Sequence, residues 1–297
     1  MSELTLGVDI SDAIARLAIV NRAGEVVTRG IVAPNRAAAI KDAVKKAVAS
    51  ADGKVSTIAI ALPNASDAVP EDLTAALTGT GKGPAIVAIA AGTAAAIAEQ
   101  RIGAAIGAKQ MIAFSIADHV TAGAILDGKP WRGAHGLALS VGWLALNPVE
   151  REDYRRLGGL EAEVASAGIV RRFVWRIKSG DQSKVADRVK DDFSRITSAD
   201  ILQGARDGDG VSISVVRDTA KYIGMAVANL ATMLDPEIIV LGGIIASSGD
   251  IMREAIRVET TRRLLPQQVE QVQIVLSSFG DDAVSIGAAL AWSRPGA

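Results

Sequence analysis

The chain has 297 residues, enough for two domains that each bury their own core. Hydrophobic residues make up 49% and charged residues 22%, which excludes a disordered or fibrous protein. The formal charge of -1, with acidic and basic residues interspersed, gives no footprint for nucleic acid or a membrane surface, and the absence of cysteine excludes disulfides, thiolate catalysis and a cysteine-based zinc site.

The first hundred residues predict three strands followed by alternating helices and strands. Apolar and polar residues alternate with the period of two that is typical of strands, and longer apolar-periodic runs predict helices. The predicted strands cover residues 4–10, 14–20, 25–32, 57–62 and 85–89, and the predicted helices cover 36–51 and 93–102. The order indicated is βββαβαβα, in which the helix between the strands 57–62 and 85–89 is not assigned to particular residues.

The same order then starts again. Strands are predicted over 110–116, 119–126 and 129–131, a helix-rich middle over 157–235, strands over 237–241 and 272–276, and helices over 250–263 and 283–292. Gly242 and Gly243 are predicted to form a turn after the strand 237–241. A repeated pattern of this kind favours an α/β protein with two related, hinged halves and a cleft between them, where ligands normally bind.

Several spaced segments resemble the ROK family (repressor, open reading frame, kinase), which includes bacterial glucokinases, N-acetylmannosamine kinases and sugar-responsive repressors. The segments that carry the resemblance are 126–138, 159–162, 229–243 and 280–289. The resemblance implies an actin-like (ribonuclease H-like) fold and a homodimer. It also implies a small domain formed by 1–107 plus 283–297 and a large domain formed by 108–282.

The two phosphate-binding turns implied by the resemblance have changed. The family sequence Asp-Ile-Gly-Gly-Thr is replaced by residues 9–13, Asp-Ile-Ser-Asp-Ala, and Gly-Thr-Gly is replaced by residues 117–119, Ala-Asp-His. Side chains at former glycines block the close approach of a phosphate to the backbone, and the new carboxylates of Asp12 and Asp118 repel it. Asp9 is retained.

The sugar side has changed as well. The family's Asn-Asp pair, whose Asp is the catalytic base, falls at Ala90 and Ala91. The Glu and His that follow the family's His-Gly motif and help to hold sugar hydroxyls or zinc fall at Ser140 and Trp143. Because the cysteines are absent, no structural zinc is expected, while His135 and Glu161 remain at matching positions. Trp143 is expected either to stack on a sugar ring or to fill the core.

Three hypotheses follow. The leading one is a ROK-family protein without ordinary ATP-dependent sugar kinase activity, a pseudokinase or sensor that binds a carbohydrate or polyol in the cleft. Its predicted ligand-binding residues are His135, Ser140, Trp143, Glu161, Gly242 and Gly243.

The second hypothesis is a repurposed, nucleotide-independent sugar-converting enzyme. It would use Asp9, Asp12, Asp118 and His119 for acid–base chemistry, or to hold a divalent cation, which is the one cofactor considered. The third is a divergent sugar kinase that keeps the Gly242–Gly243 turn near an adenine. No winged helix-turn-helix precedes the first predicted strand and no targeting or membrane segment is visible, so we expect a cytoplasmic protein with no nucleic-acid or membrane partner.

Overall fold

The computed structural model describes residues 3–64, 67–78, 84–190 and 192–293. It contains two five-stranded mixed sheets, ordered β3-β2-β1-β4-β5 and β10-β9-β6-β7-β8. We call the halves built on them the first lobe and the second lobe. The strands of the first sheet are β1 (Glu3–Asp9), β2 (Ala15–Asn21), β3 (Val26–Val32), β4 (Lys54–Leu62) and β5 (Ala85–Ala90). Those of the second are β6 (Met111–Ile116), β7 (Val120–Leu126), β8 (Lys129–Trp131), β9 (Ile238–Gly243) and β10 (Gln273–Leu276).

The two sheets share one topology. In each, the first strand pairs antiparallel with the second and parallel with the fourth, β1 with β2 and β4, β6 with β7 and β9. In both lobes, therefore, the turn after the first strand lies at the carboxyl end of the parallel strands, the edge where ligands normally bind in α/β sheets. The predicted duplicated, actin-like α/β fold is confirmed.

The helices of the first lobe are α1 (Ala37–Ser50), α2 (Glu71–Thr78) and α3 (Ala91–Ile102). The second lobe contains α4 (Glu152–Leu157), α5 (Gly159–Val164), α6 (Ser166–Lys178), α7 (Lys184–Val189), α8 (Ser198–Arg206), α9 (Gly210–Leu234), α10 (Ile244–Ser247), α11 (Gly249–Thr261) and α12 (Pro266–Gln271). The last helix, α13 (Ala283–Trp292), returns to the first lobe, and short 3-10 turns occupy Val141–Trp143, Phe193–Arg195 and Gly280–Asp282. Among the described helices, none is both long and apolar enough to cross a membrane.

The predicted turn at Gly242 and Gly243 is wrong, because both residues complete β9 and a helix begins directly at Ile244. Gly243 has φ of +62°, a conformation that favours glycine. A Cβ at Gly243 would lie 2.0 Å from the carbonyl oxygen of Ile116 on β6. The glycines therefore permit close strand packing beside the cleft.

The last helix packs into the first lobe through small residues. A Cβ on Gly7 of β1 would lie 1.9 Å from the carbonyl oxygen of Ser285, and one on Gly287 would lie 1.7 Å from that of Ala94 on α3. Such contacts bring the α13 backbone directly against β1 and α3, which explains the use of alanine and glycine rather than larger apolar residues here. The chain thus crosses between the lobes twice, after α3 and before α13.

Glu99 of α3 forms hydrogen bonds with both of the segments that connect the lobes. It is 1% exposed, and its carboxylate accepts hydrogen bonds from the Ala104 backbone N–H (2.8 Å) after α3 and from the Ser277 hydroxyl and the Ser278 backbone N–H (3.4 Å) before α13. A buried carboxylate is tolerated when its oxygens are hydrogen-bonded in this way. One acidic side chain therefore links the two segments that connect the lobes.

Candidate functional site

A cavity of about 210 Å³ lies between the two lobes. It is lined by the turns that follow β1 and β6, by the end of β9 and by the start of α13. Of the residues predicted from the sequence, five line this cavity: Asp9, Asp12, Asp118, Gly242 and Gly243. The structure thus brings together the residues of the former phosphate turns.

Asp9 is the buried member of this group. It ends β1, is 3% exposed, and its Oδ1 accepts hydrogen bonds from the Ser11 backbone N–H (2.9 Å) and the Ser11 hydroxyl (2.6 Å). Burial raises the pKa of Asp9 to about 7, although the Ser11 hydrogen bonds oppose the shift. Its Oδ2 has no hydrogen-bond donor among the residues that the structure describes and keeps access to the cavity.

Asp12 and Asp118 bind each other's turns across the cleft. The backbone N–H of Ala13 donates to Oδ2 of Asp118 (3.0 Å), and the backbone N–H of Asp118 donates to Oδ1 of Asp12 (3.1 Å). The Asn35 side chain holds the first turn in place by donating to the carbonyl oxygens of Ile10 (3.1 Å) and Asp12 (2.8 Å). Burial, and then the charge of Asp118, raise the pKa of Asp12.

His119 pairs with Glu161, a contact that the sequence did not indicate. Nδ1 of His119 lies 3.2 Å from Oε1 of Glu161, and Oε2 of Glu161 accepts a hydrogen bond from the Val120 backbone N–H (3.0 Å). The hydrogen bond that His119 donates to Glu161 raises the pKa of His119, whose side chain remains 44% exposed. Glu161 thus fixes the orientation of an imidazole that can exchange protons with solvent or a ligand.

The remaining predicted residues do not join the cavity. Trp143 is 58% exposed, so the expectation that it fills the core is wrong. Ser140 is exposed and its hydroxyl donates to the carbonyl oxygen of Leu137 (2.8 Å), and His135 is exposed. These three side chains lie on the second lobe outside the cavity wall.

The described residues provide neither a binding site for the divalent cation considered above nor a replacement for the family's catalytic base at Ala90 and Ala91. Within the described ranges, no group of three His, Asp or Glu side chains is placed to hold a metal ion, so Asp9, Asp12, Asp118 and His119 do not fit a divalent cation site. Ala90 and Ala91 stand at the junction of β5 and α3, where they offer only methyl groups.

The cavity wall is acidic. Besides the three aspartates already described, it includes the carboxylates of Glu99 and Asp281. Among the described residues, its one cationic side chain is Arg16, whose guanidinium lies 2.7 Å from Asp281 and 3.6 Å from Asp282. Glu99 and Arg16 could not be predicted from the sequence, because neither belongs to a recognisable motif.

A second, larger cavity of about 1010 Å³ lies on the second lobe, lined by residues of α4, α6 and α9, and contains none of the predicted site residues. Its most deeply buried carboxylate is that of Glu163, 2% exposed, which accepts a hydrogen bond from the Tyr154 hydroxyl. The guanidiniums of Arg151, Arg171 and Arg172 lie 3.4, 3.9 and 3.7 Å from it. We call this group the Glu163 cluster.

Comparison with known proteins gives a consistent set of relatives. A family model described as ROK family matches residues 63–294. A glucokinase from Halalkalibacterium halodurans is 30% identical over 195 residues, which are 65% of this chain and 59% of the relative. A xylose repressor from Caldicellulosiruptor bescii is 27% identical over 60% of this chain and 44% of its own length. The chain therefore spans less than two thirds of the length of these curated relatives.

One solved structure matches almost from end to end. It is a ROK family glucokinase from Streptomyces griseus in complex with glucose and AMPPNP, with a TM-score of 0.79 and 25% identity, covering 97% of this chain and 98% of that one. This likeness shows that the chain has the same fold as a ROK family glucokinase.

Proposed function

Because the chain belongs to the ROK family, we propose that it is a member without ordinary ATP-dependent sugar kinase activity that binds a sugar-like ligand between its lobes. The observation that carries this proposal is the cross-cleft pairing of Asp12 and Asp118.

Phosphoryl transfer depends on backbone N–H groups and cations that hold the phosphates. Here the N–H groups of Ala13 and Asp118 already donate to carboxylates from the opposite lobe. A bound nucleotide would have to displace both carboxylates while remaining close to them. Two like unit charges 4 Å apart repel by about 4 kcal/mol at an effective dielectric constant of 20. This geometry supports a cleft closed to nucleotide phosphates.

The position of the catalytic base supports the same proposal. Methyl groups at Ala90 and Ala91 cannot accept a proton from a sugar hydroxyl. Loss of a general base costs about 100- to 10,000-fold in rate. Ligand binding, in contrast, needs only a cavity with polar groups. The solved glucokinase relative holds glucose as well as a nucleotide, which supports a sugar-like ligand for the cavity of this chain.

The test measures turnover and binding separately. Purified protein is assayed for ADP release with magnesium-ATP and a panel of hexoses, and its melting temperature is measured with each sugar and each nucleotide alone. We expect no ADP release above background, and stabilisation by a sugar but not by magnesium-ATP. A ligand at about 100 times its dissociation constant adds roughly 2.7 kcal/mol of stability. Steady turnover of any hexose would contradict the proposal.

The pairing of His119 with Glu161 favours a second candidate, a nucleotide-independent sugar-converting enzyme. A carboxylate that orients a partly exposed imidazole is a common arrangement for general acid–base chemistry. The test incubates each sugar with protein alone and follows new products by NMR. His119→Gln should remove any activity and His135→Gln, at the only other histidine, should not. Equal rates for both variants would remove this candidate.

Family membership also leads us to propose a cytoplasmic homodimer, with a small domain of residues 1–107 plus 283–297 and a large domain of 108–282. Sedimentation velocity at several protein concentrations tests the dimer, and limited proteolysis tests the two domain boundaries.

A further inference from the structure

We propose that the cavity between the lobes binds a small organic cation carrying a primary ammonium group, and that Asp9 is its anchor. The inference deepens the proposed function and rests on it, since it assigns a charge to the sugar-like ligand.

The anchor is the unpartnered oxygen of a buried acid. Asp9 is 3% exposed and lines the cavity, and only Oδ1 receives hydrogen bonds, both from Ser11. Oδ2 has no donor among the described residues, yet it is open to the cavity. A carboxylate oxygen that is accessible from the cavity, on a residue that is otherwise buried, can accept hydrogen bonds from a partner that comes from outside the chain.

The charge of the wall selects the kind of partner. Five carboxyl groups line the cavity and one guanidinium, that of Arg16, accompanies them. Arg16 is already bound to Asp281 and Asp282, so although its charge lowers the pKa of Asp9, it does not balance all the carboxyl groups of the wall. A cationic ligand supplies the missing charge, whereas a phosphate or a carboxylate ligand would add to the repulsion.

An ammonium group suits this wall better than a metal ion or a neutral hydroxyl. The described residues offer no set of three ligands for a metal, but an ammonium needs only separate acceptors for its three donors. Oδ2 of Asp9 is one acceptor, and Asp118 offers a second through Oδ1, because its Oδ2 is occupied by Ala13. Charge-assisted hydrogen bonds are roughly twice as strong as neutral ones, which favours an amine over a hydroxyl at the same position.

The volume and the rest of the wall set the size of the ligand. A cavity of about 210 Å³ is below the usual range of roughly 300–1,000 Å³ for drug-sized ligands, and it suits a compound of monosaccharide size. The hydroxyls of Ser115 and Ser247 provide polar contacts for ring hydroxyls. The ligand class indicated is therefore a polyhydroxylated amine, such as an amino sugar.

Isothermal titration calorimetry at pH 7 in an amine-free phosphate buffer tests the inference with glucosamine, glucose, cyclohexylamine and magnesium chloride. Glucosamine and glucose differ only in an amine and a hydroxyl at one carbon, so they isolate the charge. We expect glucosamine to bind at least about tenfold more tightly than glucose, a difference of about 1.4 kcal/mol. Asp9→Asn should abolish the preference, and Asp118→Asn, at an exposed position, should reduce it about threefold.

The control variant is Asp250→Asn, which removes an exposed carboxylate of α11 that pairs with Arg206 and should leave the preference unchanged. The inference is overturned if glucose binds as tightly as glucosamine, if the preference survives Asp9→Asn, if neither amine binds, or if magnesium binds at Asp9 more tightly than both amines. Tight binding of glucose without an amine preference would leave the proposed function standing. Asp9-dependent binding of cyclohexylamine alone would support the cation site and contradict a sugar ligand.

Discussion

Two buried carboxylates, Asp9 in the cleft and Glu163 on the second lobe, have nearly the same exposure and opposite surroundings. Glu163 is 2% exposed and lies within 4 Å of three guanidiniums besides the Tyr154 hydroxyl. Asp9 is 3% exposed, and among the residues that the structure describes only Ser11 donates hydrogen bonds to it. A buried charge is costly unless it is paired. Arginine and tyrosine side chains of the same chain pair with Glu163, whereas one oxygen of Asp9 has no donor among the described residues.

The difference separates a structural acid from a candidate ligand-binding acid. The arginines of the Glu163 cluster come from α6 and from the segment leading into α4, so the cluster fastens neighbouring parts of the second lobe. The unpaired side of Asp9 faces a cavity that both lobes line. Substitutions at these two positions should therefore act on different properties, stability for Glu163 and ligand binding for Asp9.

The largest effect is expected for Glu163→Ala. Removing one partner of a buried ion pair leaves the others uncompensated and costs about 3–5 kcal/mol. Urea unfolding followed by circular dichroism measures the change, with Glu254→Ala, which removes an exposed carboxylate paired with Arg257, as the control. A loss below about 1 kcal/mol for Glu163→Ala would show that the cluster is not structural.

Asp9 should make stability depend on pH in the acidic range. Its pKa is raised to about 7 by burial, while in the unfolded chain it is near 3.8. Between these values the folded protein holds a proton that the unfolded chain releases, so the free energy of unfolding falls as the pH rises from about 4 to 7. The full contribution is on the order of 4 kcal/mol, at 1.36 kcal/mol for each pH unit.

The comparison of wild type with Asp9→Asn isolates this contribution, since the other ionisable groups around the cleft remain in both proteins. These groups are Asp12, Arg16, Glu99, Asp118, His119, Asp281 and Asp282. Urea unfolding at half-unit steps from pH 4 to 8 should show a shallower decline for Asp9→Asn. Parallel curves would mean that Asp9 ionises as freely in the folded protein as in the unfolded chain.

A smaller effect is expected at the cross-cleft pair. Asp12→Ala and Asp118→Ala each remove one carboxylate that accepts a backbone N–H from the other lobe, at a cost of about 1 kcal/mol each. The double variant should lose less unfolding free energy than the sum of the two single losses, because each hydrogen bond holds the turns in place for the other. It should also bind magnesium-ATP more tightly than wild type. Strict additivity in urea unfolding would show that the two contacts are independent.

The smallest effect concerns His119. Its hydrogen bond with Glu161 raises the pKa of the imidazole, so Glu161→Gln should lower that pKa. The chain has two histidines, and His135→Gln assigns their NMR signals. An unchanged titration of His119 would mean that the contact with Glu161 does not persist in solution.

The order of strands and the duplicated fold could be predicted from the sequence because a period of two and helical periodicity are local properties. The strand and helix predicted over 85–89 and 93–102 match β5 and α3 within two residues. The short helix α2, over Glu71–Thr78, was not placed by the sequence, since eight residues give too few turns for a clear period. Gly242 and Gly243 gave a turn signal, but tertiary packing against β6 makes them the end of a strand.

The candidate site was less predictable, because its contacts join residues far apart in the chain. Asp12 and Asp118 could be named from the sequence, because they belong to the two turns that the family resemblance identifies. The pairing of His119 with Glu161 joins residues 42 positions apart, and nothing local indicates it. Arg172 is largely buried near Glu163, and no local pattern indicates that contact either.

The return of α13 to the first lobe sets an order of assembly during synthesis. β1 emerges from the ribosome early, but the groove at Gly7 that receives Ser285 stays uncovered until more than 270 later residues have followed. The second lobe is complete by the end of β10, before α13 emerges. The first lobe is therefore synthesised first but completed last. Until α13 has been made, the apolar surface that α13 will cover is exposed, and this surface is the part of the nascent chain most in need of protection from aggregation.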